Sequence, residues 1–181
     1  MPEPINSTED INAMLDENEW TGVTSMQPYC ALVFHQLELI VKSSSELISS
    51  IEGSDWEMRP TAGKFSIGEL IGHLALICEA DLYIADGAAE SEMRSFYTVK
   101  MPHSKEQALI ELARGFERLK TTYLPLDESQ LQKIHTAYWG VSYNRFEWLL
   151  ETLVHLTHHR GQLHSMIVHG LGKQPNVQLF E

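Results

Sequence analysis

The stretch NRFEWLLETLVHLTHHRGQLHSMIVH, Asn144 to His169, is the key to the architecture. Trp148, Thr152, His155, His159, Gln162 and Met166 advance by four, three, four, three and four positions, and at about 100° per residue they stay inside an arc of roughly 80°. A segment that holds one seam for so long reads as a helix. Asn144 with Glu147 marks its start, and Gly170 and Gly172 ahead of Pro175 mark a left-handed stop. His155 and His159 therefore point the same way. His158 lies about 60° from His155, His164 is on roughly the opposite side, and His169 returns to within about 40° but sits four turns further on.

Three more segments carry helical periodicity. Over roughly residues 24–51 apolar side chains recur at Cys30, Phe34, Leu37, Val41, Leu47, Ile48 and Ile51. Ser66-Ile67-Gly68-Glu69 has the spacing of a capping box, so a second helix starts at Ser66 and runs to about Asp86, where Gly87 ends it. Ser104-Lys105-Glu106-Gln107 repeats that signature, and Leu109, Leu112, Ala113, Phe116, Leu119 and Tyr123 fill one face of a third helix that stops before Pro125. No segment shows a convincing period-two alternation. The expected fold is all-α, a four-helix bundle over residues 24–181, with 126–143 as a connecting loop holding at most one short helical turn. Residues 1–23 form an N-terminal extension in which Ser7, Thr8, Glu9 and Asp10 could start a short lead-in helix.

The chain has 181 residues, 43% of them hydrophobic, which suits one domain with a real core. No apolar run approaches the ~18 residues of a membrane span, and the polar, acidic start lacks the pattern of a signal peptide. The expectation is a cytoplasmic protein. Cys30 and Cys78 are too few for a disulfide framework and read as buried thiols. The net charge is −12, and residues 1–41 hold seven acids and no Lys or Arg. The densest basic group, Arg114, Arg118 and Lys120, is interleaved with Glu111 and Glu117. Nucleic-acid binding needs a basic face that neutralises phosphates, and none is evident. Apolar stripes on all four helices leave room for a homodimer.

On the second helix Ser66, Leu70, His73, Ile77, Ala80 and Ile84 share a seam, so one histidine interrupts an apolar stripe. A lone core histidine is ordinarily a hydrogen-bonded packing residue, and helical histidine pairs also occur on solvated faces. A solvated face, however, would not include Trp148 and Met166. Bundle helices meet through such seams, which brings His73 to His155 and His159. Three imidazoles from two helices suit divalent Zn, Ni or Fe with positions left open for water. Gln162, on the same seam, could steady a ligand ring, hold a water, or make a helix-to-helix hydrogen bond. Arg160 points away from both histidines by about 100° or more and reads as a surface or loop-pairing residue, while Gly161 reads as a close-packing position.

Phe65-Ser66-Ile67-Gly68-Glu69-Leu70-Ile71-Gly72-His73-Leu74, with His155-Leu156-Thr157-His158-His159-Arg160-Gly161-Gln162-Leu163 downstream, resembles the DinB-like (DinB/YfiT) superfamily. The second motif, a histidine followed four positions later by His-Arg-Gly-Gln, is the more specific. The resemblance covers roughly residues 25–178. It implies a four-helix bundle that binds one divalent metal per chain through His73, His155 and His159. Where the family often has Trp before the serine, this chain has Phe65.

The resemblance further implies a metal-dependent S-transferase that activates a low-molecular-weight thiol such as glutathione, bacillithiol or mycothiol for attack on a small electrophile. Three neutral imidazoles leave the cation its charge, so it lowers the pKa of a bound thiol or water. Hydrolysis through metal-bound hydroxide needs a general base besides. Glu69 and Glu151, each one turn before a ligand and about 40° off it, are the nearest acids. A stress-related metal-binding bundle without turnover is the non-enzymatic alternative, distinguished by a closed site.

Overall fold

The computed structural model describes residues 27–180; the lead-in helix expected to start at Ser7 to Asp10 and the extension to residue 23 lie outside them. The first described helix, α1 (Pro28–Ser49), begins with Pro28, whose missing N–H and fixed φ suit a first helical position. It buries Phe34, Leu37, Val41, Leu47 and Ile48 as the stripe requires. A single 3₁₀ turn, Gly53–Asp55, and a loop lead to α2 (Ile67–Ala85). Here the capping box is complete: Ser66 Oγ accepts from Glu69 N at 3.1 Å, and Glu69 Oε2 accepts from Ser66 N at 2.8 Å. Gly87, at φ 86°, ends the helix in the left-handed region.

Next comes α3 (Glu90–Lys100), a helix absent from the sequence expectation. Met93 is its one buried residue, so it carries no apolar stripe to read. Its start is held by Glu92, whose carboxylate accepts from Ala89 N at 2.7 Å. The following helix, α4 (Lys105–Tyr123), is capped by Ser104, but only half of the expected box forms: the Gln107 amide oxygen accepts from His103 N at 2.8 Å instead.

A four-residue helix, α5 (Glu128–Leu131), is the short turn expected in the connection. The rest of that connection is not the loop expected: β1 (Ile134–Thr136) and β2 (Ser142–Asn144) form an antiparallel hairpin with Ile134 opposite Asn144. Strands of three residues are too short for alternation to register. Then α6 (Arg145–Ser165) starts where Asn144 Oδ1 accepts from Glu147 N at 2.8 Å and passes into one π-helical turn, Met166–Gly170. Gly172, at φ 66°, makes the left-handed stop, whereas Gly170 has no positive φ; a Cβ there would meet Met58 Cε at 2.5 Å.

Both α1 and α2 pack chiefly on α4 and α6, so α1 and α2 face each other diagonally across one continuous apolar core. A smaller apolar cluster joins the end of α2 (Ala80, Ile84, Ala85) to Met93, Ala137 and Trp148. It seats α3 and the hairpin against the α2–α6 face, with Trp148 Nε1 donating to the His135 carbonyl at 3.2 Å. Cys30 and Cys78 are fully buried free thiols, as expected, and burial pushes the Cys30 thiol up to about 11. Among the described residues no helix is long and apolar enough to cross a membrane.

Candidate metal centre

Helices α2 and α6 run antiparallel, since the start of α6 meets the end of α2 (Arg145 to the Ala85 carbonyl) while His155 meets Asp81 further back along it, and their two seams face each other. His73, His155 and His159 each offer a ring nitrogen within 4.8 Å of the others. His73 Nε2 and His155 Nε2 are 3.2 Å apart, and the rings of His73 and His159 meet edge to face at 4.6 Å between centroids. His158 is exposed, its ring 4.8 Å from that of His159, and neither it nor His164 belongs to the cluster.

Each ring of α6 is oriented from behind. Asp81 Oδ2 lies 3.1 Å from His155 Nδ1, and since a carboxylate can only accept, Nδ1 carries the proton and Nε2 keeps a lone pair facing inward. Gln162 Oε1 accepts likewise from His159 Nδ1 at 2.9 Å. Orientation of a ligand imidazole through its other nitrogen is the usual support of a metal-binding histidine. Asp81 is almost wholly buried, and sequence reasoning missed it. At eight residues beyond His73 it is about 80° off that histidine's direction. The available signal was its charge on a helix whose middle is otherwise nearly all apolar. Glu69, one of the two acids nearest the ligands by spacing, is occupied by Arg59 through two hydrogen bonds of 2.7 and 2.9 Å, and Glu151 is exposed.

The electrostatics divide the triad. Burial, reinforced by the neighbouring His159 and His155, pushes His73 down to about 4. For His155 burial acts in the same direction, but the Asp81 hydrogen bond and charge, with Glu151, outweigh it and raise the pKa. His159 is lowered, chiefly by burial, against the opposing hydrogen bond to Gln162.

These residues fit a divalent cation. Two ligand nitrogens at the ~2.0–2.1 Å of zinc coordination, separated by a tetrahedral angle, stand roughly 3.3 Å apart, close to the spacing of the two Nε2 atoms. A cleft of about 680 Å³, lined by Tyr83, Met93, Phe96 and Lys100 among others, opens on another face of α3 and includes none of the three histidines.

Of two motif neighbours, Arg160 meets one of its two expected alternatives and Gly161 does not meet its own. Arg160 is not a surface residue: it is 4% exposed and donates to Ser43 Oγ at 3.1 Å and to the Leu179 carbonyl at 2.9 Å, tying the C-terminal segment to α1. The expected pairing with a segment outside the helices does form. Gly161 is exposed, with open space where a Cβ would stand, so close packing does not account for it.

A four-helix bundle with three histidines gathered from two antiparallel helices defines a class of compact helical proteins with a candidate metal centre. The DinB superfamily profile matches residues 36–163, and the chain belongs to that superfamily. It is similar to the crystal structure of a protein assigned to the DinB family from Exiguobacterium sibiricum 255-15, with 36% identity and a TM-score of 0.76 over 86% of this chain and 99% of that one. A DinB-like protein from Bacillus cereus ATCC 10987 shares the fold at 14% identity, with a TM-score of 0.59 over 81% of this chain and 95% of that one. No curated protein matches the chain.

Proposed function

We propose that the chain binds one divalent metal ion through His73, His155 and His159 and is a metal-dependent S-transferase acting with a low-molecular-weight thiol. The observation that carries the metal assignment is the pair of back-side hydrogen bonds, Asp81 to His155 and Gln162 to His159, which occupy Nδ1 of each ring and leave Nε2 as its free nitrogen. A cation held by neutral imidazoles lowers the pKa of a thiol beside it, and only the thiolate is a good nucleophile. The chain's own part is orientation. Asp81 balances charge at His155, and the depressed pKa of His73 keeps that ring neutral at physiological pH.

Hydrolysis is the weaker reading. A base would have to take a proton from water, yet Asp81 is engaged by His155 and Glu69 by Arg59, which leaves only the exposed Glu151, about 40° off the direction of His155. The test is metal analysis of untagged protein, followed by Co²⁺ substitution and addition of glutathione, bacillithiol, mycothiol or coenzyme A. A near-ultraviolet sulfur-to-cobalt band with one thiol, together with consumption of an electrophile, is expected. No band and no consumption with any of them would sink the transferase reading while leaving the metal site standing.

A further inference from the structure

Two aromatic side chains from separate segments converge on one ligand histidine. Phe65, in the loop before α2, has its ring centroid 5.9 Å from that of His73 with a 31° angle between planes. Tyr97, on α3, stands 6.2 Å from the same imidazole at 30°. The planes of both rings are thus tilted by only about 30° from that of His73. Phe65 is nevertheless 44% exposed, so part of this surface is open to solvent. A single exposed phenyl ring needs no explanation, but two rings aligned on the imidazole that contributes Nε2 to the centre do.

The charges nearby are acidic or already paired. The acidic side chains nearest His155 are Asp81, hydrogen-bonded to its ring, and Glu151, one turn before it on the same helix. Among the described residues none of the cation–ring contacts involves Phe65 or Tyr97. Arginines on the flanking segments are each gripped by a glutamate, Arg59 by Glu69 and Arg94 by Glu90. A carboxylate or phosphate would find acids beside these rings and no arginine clamp.

We propose that the surface made by Phe65, His73 and Tyr97 binds a flat, uncharged aromatic or conjugated compound and presents it to the three-histidine centre. The binding stands on the rings alone; the presentation for reaction rests on the transferase reading above. Aromatic faces prefer offset or edge-on contact with other π systems over saturated rings of equal size.

The probes are 2-naphthol, its saturated counterpart decahydro-2-naphthol, and 2-naphthoate, titrated calorimetrically into the metal-free and the metal-loaded chain. In the metal-free chain naphthol is expected to bind about tenfold more tightly than either of the others, and Phe65→Leu, exposed and near in size, to lose about tenfold of that affinity. Metal content and thermal stability of Phe65→Leu should match the parent. Equal binding of naphthol and decahydronaphthol, unchanged affinity in Phe65→Leu, or tighter binding of naphthoate in the metal-free chain would overturn the proposal. If metal is held but no aromatic preference appears, this proposal fails and the metal assignment stands. If no metal is held but naphthol preference depends on Phe65, the reverse is true.

Discussion

His155 and His159 sit one turn apart on α6 and face the same centre, yet the protein supports them differently. His155 is backed by the carboxylate of Asp81, 8% exposed at its side chain, on another helix. His159 is backed by a neutral amide, Gln162, on its own helix and open to water. A buried charge acts through a low local dielectric, whereas an exposed neutral dipole competes with solvent. The inner end of the site is therefore held electrostatically, and the outer end mainly by geometry.

Deleting the rings puts the greatest strain on this contrast. His155→Ala and His159→Ala should each lose most of the bound metal, measured by elemental analysis after gel filtration. Retention of a full equivalent in either variant would remove that residue from the ligand set.

Acid should strip the metal as completely. Each ligand must be neutral to donate, so protons compete as pH falls through and below the ~6.5 reference value of histidine. In the metal-free chain the ligands do not titrate alike: the pKa of His155 is raised by Asp81, while burial pushes His73 down to about 4. In the metal-free chain the signs oppose. His73, depressed in the folded state, adds stability above ~6.5 that is lost as pH falls toward 4, while His155, raised, adds stability below ~6.5 that is lost as pH rises past its folded value. Metal retained in full at about pH 4, well below the reference value, would contradict three histidine ligands.

Asp81→Asn keeps the shape of the support and removes its charge. Metal affinity should fall about 10- to 100-fold by competition titration against a chelator, and the proton competition at His155 should move to lower pH. An unchanged affinity would show that the two ends of the site are equivalent after all.

Gln162→Ala should cost less, within about tenfold in affinity, with little change in melting temperature because the side chain is exposed. A large drop in stability at constant metal affinity would assign Gln162 to packing. His158→Ala and His164→Ala should do least, leaving metal content at the parent level. A loss in His158→Ala equal to that in His159→Ala would mean that the edge-to-face contact between their rings, 4.8 Å apart, matters more than direction.

The parts of the molecule that are legible in the sequence are those whose side chains repeat. The long helices α1, α4 and α6 each bury one stripe and α2 is buried on nearly every side, and both histidine seams are visible as interruptions or continuations of apolar positions. Helix α3 and the hairpin bury too few residues in a row to leave a period. Ser66 and Asn144 name two helix starts correctly because a cap is a local hydrogen bond. At Ser104 the hydroxyl caps as expected, but Gln107 chooses His103 N over the serine's own N–H, a choice between two nearby donors that spacing does not resolve.

The all-α class, the order of the four long helices and the common direction of His155 and His159 are written in the sequence, because 3.6-residue periodicity and capping are properties of one segment at a time. Tertiary packing alone puts Asp81 behind His155, buries Arg160 under the C-terminal segment, and sets Phe65 and Tyr97 beside His73. Each of those contacts joins different segments of the chain. Their geometry depends on how the segments are rotated and offset against each other, and no wheel drawn for a single helix contains that information.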